Sequence, residues 1–228
     1  MGGNEPAAGK SLKQLAYETL KRRIITCEIL PGSLLTEDLL CEELNASRTP
    51  VRDAVGRLEQ EGLVSIKPKK GIMVNRVSMN SIRELFEIRR MLEPEAVLRY
   101  GNRIRDEEYA RFLRLFGRTD LDDRELFRLD DAFHRLFIDA SENRYYRTVF
   151  DMIADQVYRY RVLTSGDARL EVSRKEHAEI AADCIRGEWD LASAAMLRHI
   201  ENSKLSIVDY VMKTNRSAAN VFEEDEDD

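Results

Sequence analysis

The sequence predicts a mainly α-helical protein, in which an N-terminal winged helix-turn-helix is followed by an all-α bundle of six helices. Only 5 prolines and 11 glycines interrupt the 228 residues, and 34% of the residues are charged, which argues against a many-turned β fold. Apolar residues recur at three- and four-residue spacings over most of the chain, as in amphipathic helices. The exception is one short segment after Gly62, where two β-like runs flank a basic turn.

The predicted winged helix-turn-helix spans residues 11–76. Residues 11–29 carry apolar side chains at helical spacing, which predicts the first helix. Thr36 is placed to cap a short second helix, and Ser47 is placed to cap a third. After Gly62, the runs LVSI and GIMVNRV predict a two-stranded wing joined by the turn KPKKG. Three helices followed by a wing are typical of this DNA-binding fold.

Residues 77–212 predict a helical domain with breaks at asparagine and glycine residues. The predicted helices cover residues 80–101, 105–117, 121–141, 143–164, 168–186 and 188–212. We expect residues 1–10 to be disordered. Residues 213–228 lose helical periodicity and end in EEDEDD, which predicts a disordered acidic tail.

The net charge of −6 does not exclude a nucleic-acid partner, because the six acids of EEDEDD account for all of it. No stretch reaches the roughly 18 apolar residues of a membrane span, and the N-terminus lacks the apolar core of a secretory signal. The three cysteines, Cys27, Cys41 and Cys184, are far apart in sequence, as expected for reduced thiols. We therefore expect a cytoplasmic protein with no membrane partner.

The first turn of the third predicted helix is cationic. Arg48 and Arg52 are four residues apart and project from one face beside Thr49, whereas Val51 and Val55 face the core. In a helix-turn-helix this end of the third helix enters the major groove, and arginine fits both guanine edges and phosphates. The alternative is a solvated helix face, and the complete winged-helix pattern favours DNA.

The segment from Pro31 to Val74 closely resembles the N-terminal domain of the GntR family of bacterial transcription regulators. The resemblance is carried by SRTPVR, followed by RLEQEGLV and a glycine-bearing wing. It implies that a homodimer binds a pseudo-palindromic operator DNA. The implied contacts are Ser47, Arg48, Thr49, Arg52, Arg57 and Gly71, and Lys70 of the wing joins them as a phosphate partner.

Two residues of the helix-turn-helix depart from the family pattern. Gly56 stands where many members have a basic or long polar residue, and a mid-helix glycine costs about 1 kcal/mol relative to alanine. Asp38 stands near the start of the second helix, where some relatives have an arginine. The departure at Gly56 removes one potential DNA contact and so indicates a different operator preference.

The three histidines all fall in the helical domain, each on a different predicted helix. Asp130 and His134 are four residues apart and share a face, and His177 and His199 lie on apolar stripes. Three inward imidazoles and one carboxylate suit a divalent metal such as Zn²⁺. Spacing alone leaves open that these are unrelated histidines, because no two are close in sequence.

The helical domain resembles the FCD ligand-binding domain of the branch of GntR regulators related to FadR, through the signature ELFEIRRMLEPEAV. Many members bind a metal through an aspartate, a histidine four residues later and two later histidines. Asp130, His134, His177 and His199 match this order. The resemblance therefore implies a metal centre, with zinc as the first choice and Mn²⁺ or Ni²⁺ as alternatives.

Arg89 lies within the apolar face of its predicted helix, so it needs an anionic partner. One candidate is Glu93, four residues further on. The other is the carboxylate of a small organic-acid effector, which the resemblance favours because an arginine in this signature lines the effector cavity. Asn202, near the metal residues, is a second effector-binding candidate.

Together these features predict a ligand-responsive, sequence-specific DNA-binding transcription regulator, and not an enzyme. Two alternatives stay open: a metal-dependent hydrolase or lyase fused to a DNA-binding head, and a regulator whose metal is purely structural. The hydrolase is disfavoured because no carboxylate is clearly placed as a general base and no HExxH helix is present.

Overall fold

The computed structural model describes residues 11–164, 167–214 and 222–223. The chain divides into two compact units, an N-terminal unit that runs to Arg76 and a helical unit that begins at Val77.

Within its described residues, the N-terminal unit contains three helices and a small sheet. Its elements are α1 (Leu12–Ile25), β1 (Leu34–Leu35), α2 (Glu37–Glu43), α3 (Arg48–Gln60), β2 (Val64–Lys67) and β3 (Gly71–Val74). Thr36 caps α2 as predicted, because its side chain accepts a hydrogen bond from the backbone N–H of Leu39 at 3.2 Å. The three helices share one apolar core, whose fully buried members include Leu20, Ile24, Leu40, Val51 and Leu58.

The predicted two-stranded wing is present as β2 and β3, but the sequence did not predict β1, which extends the sheet to three strands in the order β1-β3-β2. Strand β3 pairs antiparallel with β2, placing Lys67 opposite Gly71, and also with β1, placing Leu35 opposite Ile72. Strand β1 has only two residues, so no period-two alternation identifies it in the sequence.

Gly71 is required by the contact between β1 and β3. Its φ of +121° is a conformation that residues with a side chain rarely adopt. A Cβ atom at this position would lie 2.4 Å from the backbone oxygen of Leu35. The glycine therefore lets the wing close against β1, a reason independent of any contact with DNA.

The helical unit contains six α-helices within its described residues, as the sequence predicted. Its elements are β4 (Val77–Ser78), α4 (Met79–Tyr100), a 3₁₀ turn (Gly101–Arg103), α5 (Asp106–Phe116), α6 (Asp123–Ala140), α7 (Arg144–Thr164), α8 (Asp167–Ile185) and α9 (Trp189–Thr214). Beyond α9, Phe222–Glu223 forms a two-residue strand, β5. The rest of the predicted acidic tail and residues 1–10 lie outside the described residues.

An aromatic cluster fills the interior of the helical unit beside the histidines. Phe133 of α6 packs against Phe112, Phe116 and Phe137, with ring centroids 5.2–5.3 Å apart. The same ring contacts His177 at 5.4 Å, so the phenylalanines fix one side of that imidazole. None of the described helices is long and apolar enough to cross a membrane.

Candidate nucleic-acid interface and metal centre

The N-terminal turn of α3 presents an exposed polar edge. Ser47, Arg48, Thr49 and Arg52 are all exposed, whereas Val51 between them is fully buried in the core. Ser47 occupies the N-cap position, as predicted, but its side chain makes no capping hydrogen bond. The first N–H groups of α3 are therefore not capped by Ser47, and they can donate to an anion that approaches this helix end.

Both arginines of this edge are paired with acids at the start of α2. Arg48 Nη2 lies 2.9 Å from Asp38 Oδ1. Arg52 Nε donates to both carboxylate oxygens of Glu37 at 2.9 Å. Surface ion pairs of this kind contribute about 0–1 kcal/mol, so a nucleic acid can displace them at small cost.

Arg57 lies further along α3 and is tied to α1. Its guanidinium carbon is 3.5 Å from the ring centroid of Tyr17, and its Nη1 donates to Gln14 Oε1 at 2.9 Å. This contact holds α1 against α3, and a DNA contact by Arg57 stays a prediction. Lys70 is exposed in the turn between β2 and β3, and its contact with a phosphate likewise stays a prediction.

The four predicted metal ligands converge in the interior of the helical unit. Asp130 and His134 lie on α6, His177 on α8 and His199 on α9, and all four are buried. One ligand atom from each lies within 4.8 Å of those of the others. His134 Nε2 lies 3.1 Å from His177 Nε2 and 3.2 Å from His199 Nε2.

These separations fit a shared cation. Asp130 Oδ1 is 3.4 Å from His177 Nε2, and Asp130 Oδ2 is 3.7 Å from His134 Nε2. Ligand atoms bound to zinc at 2.0–2.1 Å in a tetrahedron would be about 3.3 Å apart. In addition, His134 Nε2 has only one hydrogen or one lone pair, so it cannot hydrogen-bond to both neighbouring nitrogens at once, whereas one cation can bind a lone pair from each of the three rings.

Carboxylates hold the far nitrogens of two of these rings, as is usual for metal-binding histidines. His199 Nδ1 lies 2.8 Å from Glu176 Oε2, and Asn202 Nδ2 donates to Glu176 Oε1 at 2.7 Å. His134 Nδ1 lies 2.5 Å from Glu93 Oε2. Asn202 thus orients Glu176.

The electrostatics keep three of the four ligands, His177, His199 and Asp130, in their metal-binding forms. Burial lowers the pKa of His177 to about 3, and burial followed by the neighbouring histidines holds the pKa of His199 well below its usual value. Both rings are therefore neutral at pH 7. Burial would raise the pKa of Asp130, but Arg161 and then the histidines outweigh it and hold that pKa well below its usual range.

Arg89 has the partner that sequence reasoning offered as an alternative to an effector. The side chain is 3% exposed, and its Nε and Nη2 atoms donate to Glu93 at 2.5 and 3.1 Å. Arg89 and then His134 overcome the effect of burial and lower the pKa of Glu93 to about 2. Arg89 Nη1 is buried without a hydrogen-bond partner, and the residue lines a cleft together with Asp130 and Arg161.

A second and larger cleft lies on another side of the same centre. Its volume is about 550 Å³, part of which is open to solvent. Asp130 and Arg161 line both clefts, and the larger one adds His177, Arg169 and Ser173. Arg161 also forms an ion pair with Asp130. Arg161 is not among the site residues that the sequence predicted, because the sequence does not reveal that α7 packs against α6.

Each of the two units of the chain matches a known protein family or domain. Residues 12–74 match the family model described as bacterial regulatory proteins, gntR family, and residues 84–202 match the FCD domain. The HTH-type transcriptional repressor RspR of Escherichia coli is 28% identical over 204 residues, covering 86% of this chain and 89% of the relative. An uncharacterized HTH-type regulator of Streptomyces ambofaciens is 31% identical over 205 residues, covering 84% and 83%.

Solved structures share the fold. A putative GntR transcriptional regulator from Rhodococcus sp. RHA1 superposes with a TM-score of 0.77 at 20% identity, covering 88% of this chain and 99% of that one. McbR/YncC of E. coli gives a TM-score of 0.73 at 19% identity, covering 91% and 100%.

Proposed function

Because this chain belongs to the GntR family of bacterial regulatory proteins and carries an FCD domain, it is a sequence-specific transcription regulator and not an enzyme. We propose that its helical unit binds a divalent metal together with a small carboxylate effector, and that effector binding changes the affinity of a homodimer for operator DNA.

The metal proposal is carried by one observation, the convergence of three buried imidazole Nε2 atoms and one carboxylate. Asp130, His134, His177 and His199 would hold the ion, and Glu93 and Glu176 would fix the orientation of two rings. Nitrogen and oxygen donors favour zinc, with Mn²⁺ or Ni²⁺ as alternatives. The bound ion would supply a positive charge that anchors an anionic ligand.

Elemental analysis of the purified chain tests the metal directly. We expect about one equivalent of a divalent metal per chain, and loss of most of it in His177→Ala. Asp183→Asn is a matched control, because Asp183 is a buried acid of α8 outside the cluster. Equal metal content in His177→Ala and the wild type would contradict the assignment.

The effector proposal rests on charge balance around the centre. Three carboxylates each have their own guanidinium: Glu93 with Arg89, Asp130 with Arg161, and Glu176 with Arg169. These six side chains sum to zero, so a divalent ion would leave two uncompensated positive charges in a buried site. An organic acid reaching the metal from either cleft would neutralise them, with Arg89 Nη1 and Arg161 as its guanidinium partners.

A thermal-shift screen with sugar acids, hydroxy acids and dicarboxylates tests this proposal. A ligand at about 100 times its Kd adds about 2.7 kcal/mol to the free energy of unfolding. We expect a shift that disappears when a chelator removes the metal and that falls in Arg161→Lys, which keeps the charge but loses the planar fork. Arg135→Lys, a surface arginine of α6, serves as the control. A shift that survives chelation would make the metal a purely structural element.

The homodimer is proposed because α7 leaves an apolar stripe exposed. Tyr145, Val149 and Met152 follow one helix face and are 65%, 37% and 55% exposed. A second copy of the chain would cover this stripe and supply the second reading helix that a pseudo-palindromic operator requires. Light scattering should give twice the mass of the chain for the wild type and the mass of a single chain for Met152→Glu. A monomeric wild type at micromolar concentration would contradict the dimer.

A further inference from the structure

The start of α2 places a carboxylate at the edge that meets DNA. Asp38 accepts from Arg48 at 2.9 Å, and 78% of the Asp38 side chain and 65% of the Arg48 side chain are exposed. The neighbouring acid, Glu37, is less exposed, at 36%, and faces Arg52 Nε with both oxygens. Of the two acids that pair with the arginines, Asp38 is therefore the more exposed to an approaching ligand.

A weak surface ion pair does not keep Arg48 from DNA. What the Asp38 carboxylate does once Arg48 has bound DNA is a separate matter. When Arg48 turns to a base edge or a phosphate, the carboxylate of Asp38 remains beside the duplex. A carboxylate only accepts hydrogen bonds, so it opposes every phosphate it meets. The major groove offers it donors at two bases only, the exocyclic amines of cytosine and adenine, whereas guanine and thymine present acceptors there.

We propose that Asp38 is a specificity-determining residue for operator recognition, which accepts a hydrogen bond from a cytosine or adenine amine beside the base read by Arg48 and opposes binding to other sequences. On random DNA the contacts are mainly to phosphates, so the carboxylate weakens binding there. At the operator the amine offsets this repulsion. The inference rests on DNA binding by the N-terminal unit and is independent of the metal and the effector.

The experiment uses the full chain and duplexes enriched by the wild-type protein from a random library. Affinities for the enriched duplex and for a random-sequence duplex are then measured by fluorescence anisotropy over a range of salt concentrations. The variants are Asp38→Ala and Asp38→Asn, with Glu42→Ala as the control. Glu42 is an exposed acid of the same helix and is not the partner of Arg48 or Arg52.

We expect Asp38→Ala to bind the random duplex more tightly, with a salt slope steeper by up to about 0.9, because one like charge beside the phosphates is gone. Its preference for the enriched duplex should fall about fivefold or more, and repeated selection should lose the cytosine or adenine preference at one position per half-site. Asp38→Asn should show the same gain on random DNA, but its preference should move towards adenine, which an amide pairs bidentately.

Three outcomes would overturn the proposal. In the first, Asp38→Ala and Glu42→Ala change both affinities equally and select the same sequences, so that only overall charge matters. In the second, both Asp38 variants weaken binding to the two duplexes equally, so that Asp38 only supports Arg48. In the third, the wild type enriches no sequence from the library, so that there is no sequence preference for Asp38 to determine. Circular dichroism melts show whether each variant is folded. If Asp38→Ala has a lowered melting temperature, Asp38→Asn, which keeps the side-chain shape, serves as the test variant.

Discussion

Gly71 offers a prediction whose size follows from the structure. In Gly71→Ala the new Cβ would lie 2.4 Å from the Leu35 carbonyl oxygen, and the φ of +121° is strained for alanine by about 1–3 kcal/mol. Because backbone atoms form this contact, β1 must move away from β3. We expect a total destabilisation of the N-terminal unit of about 2–4 kcal/mol.

Gly56→Ala is the matched control, because it adds the same methyl group to the same unit. Gly56 occupies the interior of α3, and apart from its chain neighbours and the adjacent helix backbone no atom lies within 4 Å of a Cβ placed there. This variant should be more stable than the wild type by up to about 1 kcal/mol.

Hydrogen–deuterium exchange with mass spectrometry can follow the two glycine variants in the full chain. Gly71→Ala should lose protection in peptides from β1 and β3 and lose affinity for a random duplex in parallel, whereas Gly56→Ala should keep both. The reasoning would be refuted if Gly71→Ala lost DNA affinity with unchanged exchange. The glycine would then matter for close approach to DNA, as the resemblance first suggested, and not for the shape of the wing.

Two further predictions concern the helical unit. Glu93→Gln removes the carboxylate that compensates buried Arg89, so it should lower the free energy of unfolding by about 3–5 kcal/mol. The control is Glu95→Gln at a surface ion pair, which should change the free energy of unfolding by less than about 1 kcal/mol. Urea titrations followed by the single tryptophan, Trp189 of α9, would show this, and equal midpoints would speak against it. Burial raises the pKa of Cys184 to about 12, so Cys184 should resist alkylation in the folded protein at both pH 7 and pH 9, whereas the less buried Cys27 and Cys41 should react. Labelling of Cys184 in folded protein at pH 9 would contradict this, and in urea all three should react.

The elements that could be predicted are those set by a local sequence signal, such as helical periodicity or a helix cap. Helical periodicity predicted the six helices of the helical unit, and the cap at Thr36 predicted the start of α2. Strand β1 was missed because two residues carry no periodic signal, and its pairing with β3 depends on the absence of a side chain at Gly71.

The metal cluster was predictable as a set of residue types, but its surroundings were not. The family order pointed to the three histidines and the aspartate, and the bundle brings them together. Glu93 was weighed only as a partner for Arg89, and its contact with His134 crosses from α4 to α6. Glu176 and Arg161 likewise act between helices, where sequence separation gives no guide to distance.

X-ray absorption at the zinc edge of the zinc-loaded full chain tests the central claim most directly, namely that the buried histidines and Asp130 hold a divalent metal. The account predicts a nitrogen and oxygen shell at about 2.0–2.1 Å with outer-shell scattering from three imidazoles in the wild type, and loss of this zinc signal in His177→Ala. A sulfur shell near about 2.3 Å, or a spectrum without imidazole scattering, would place the metal elsewhere and contradict it.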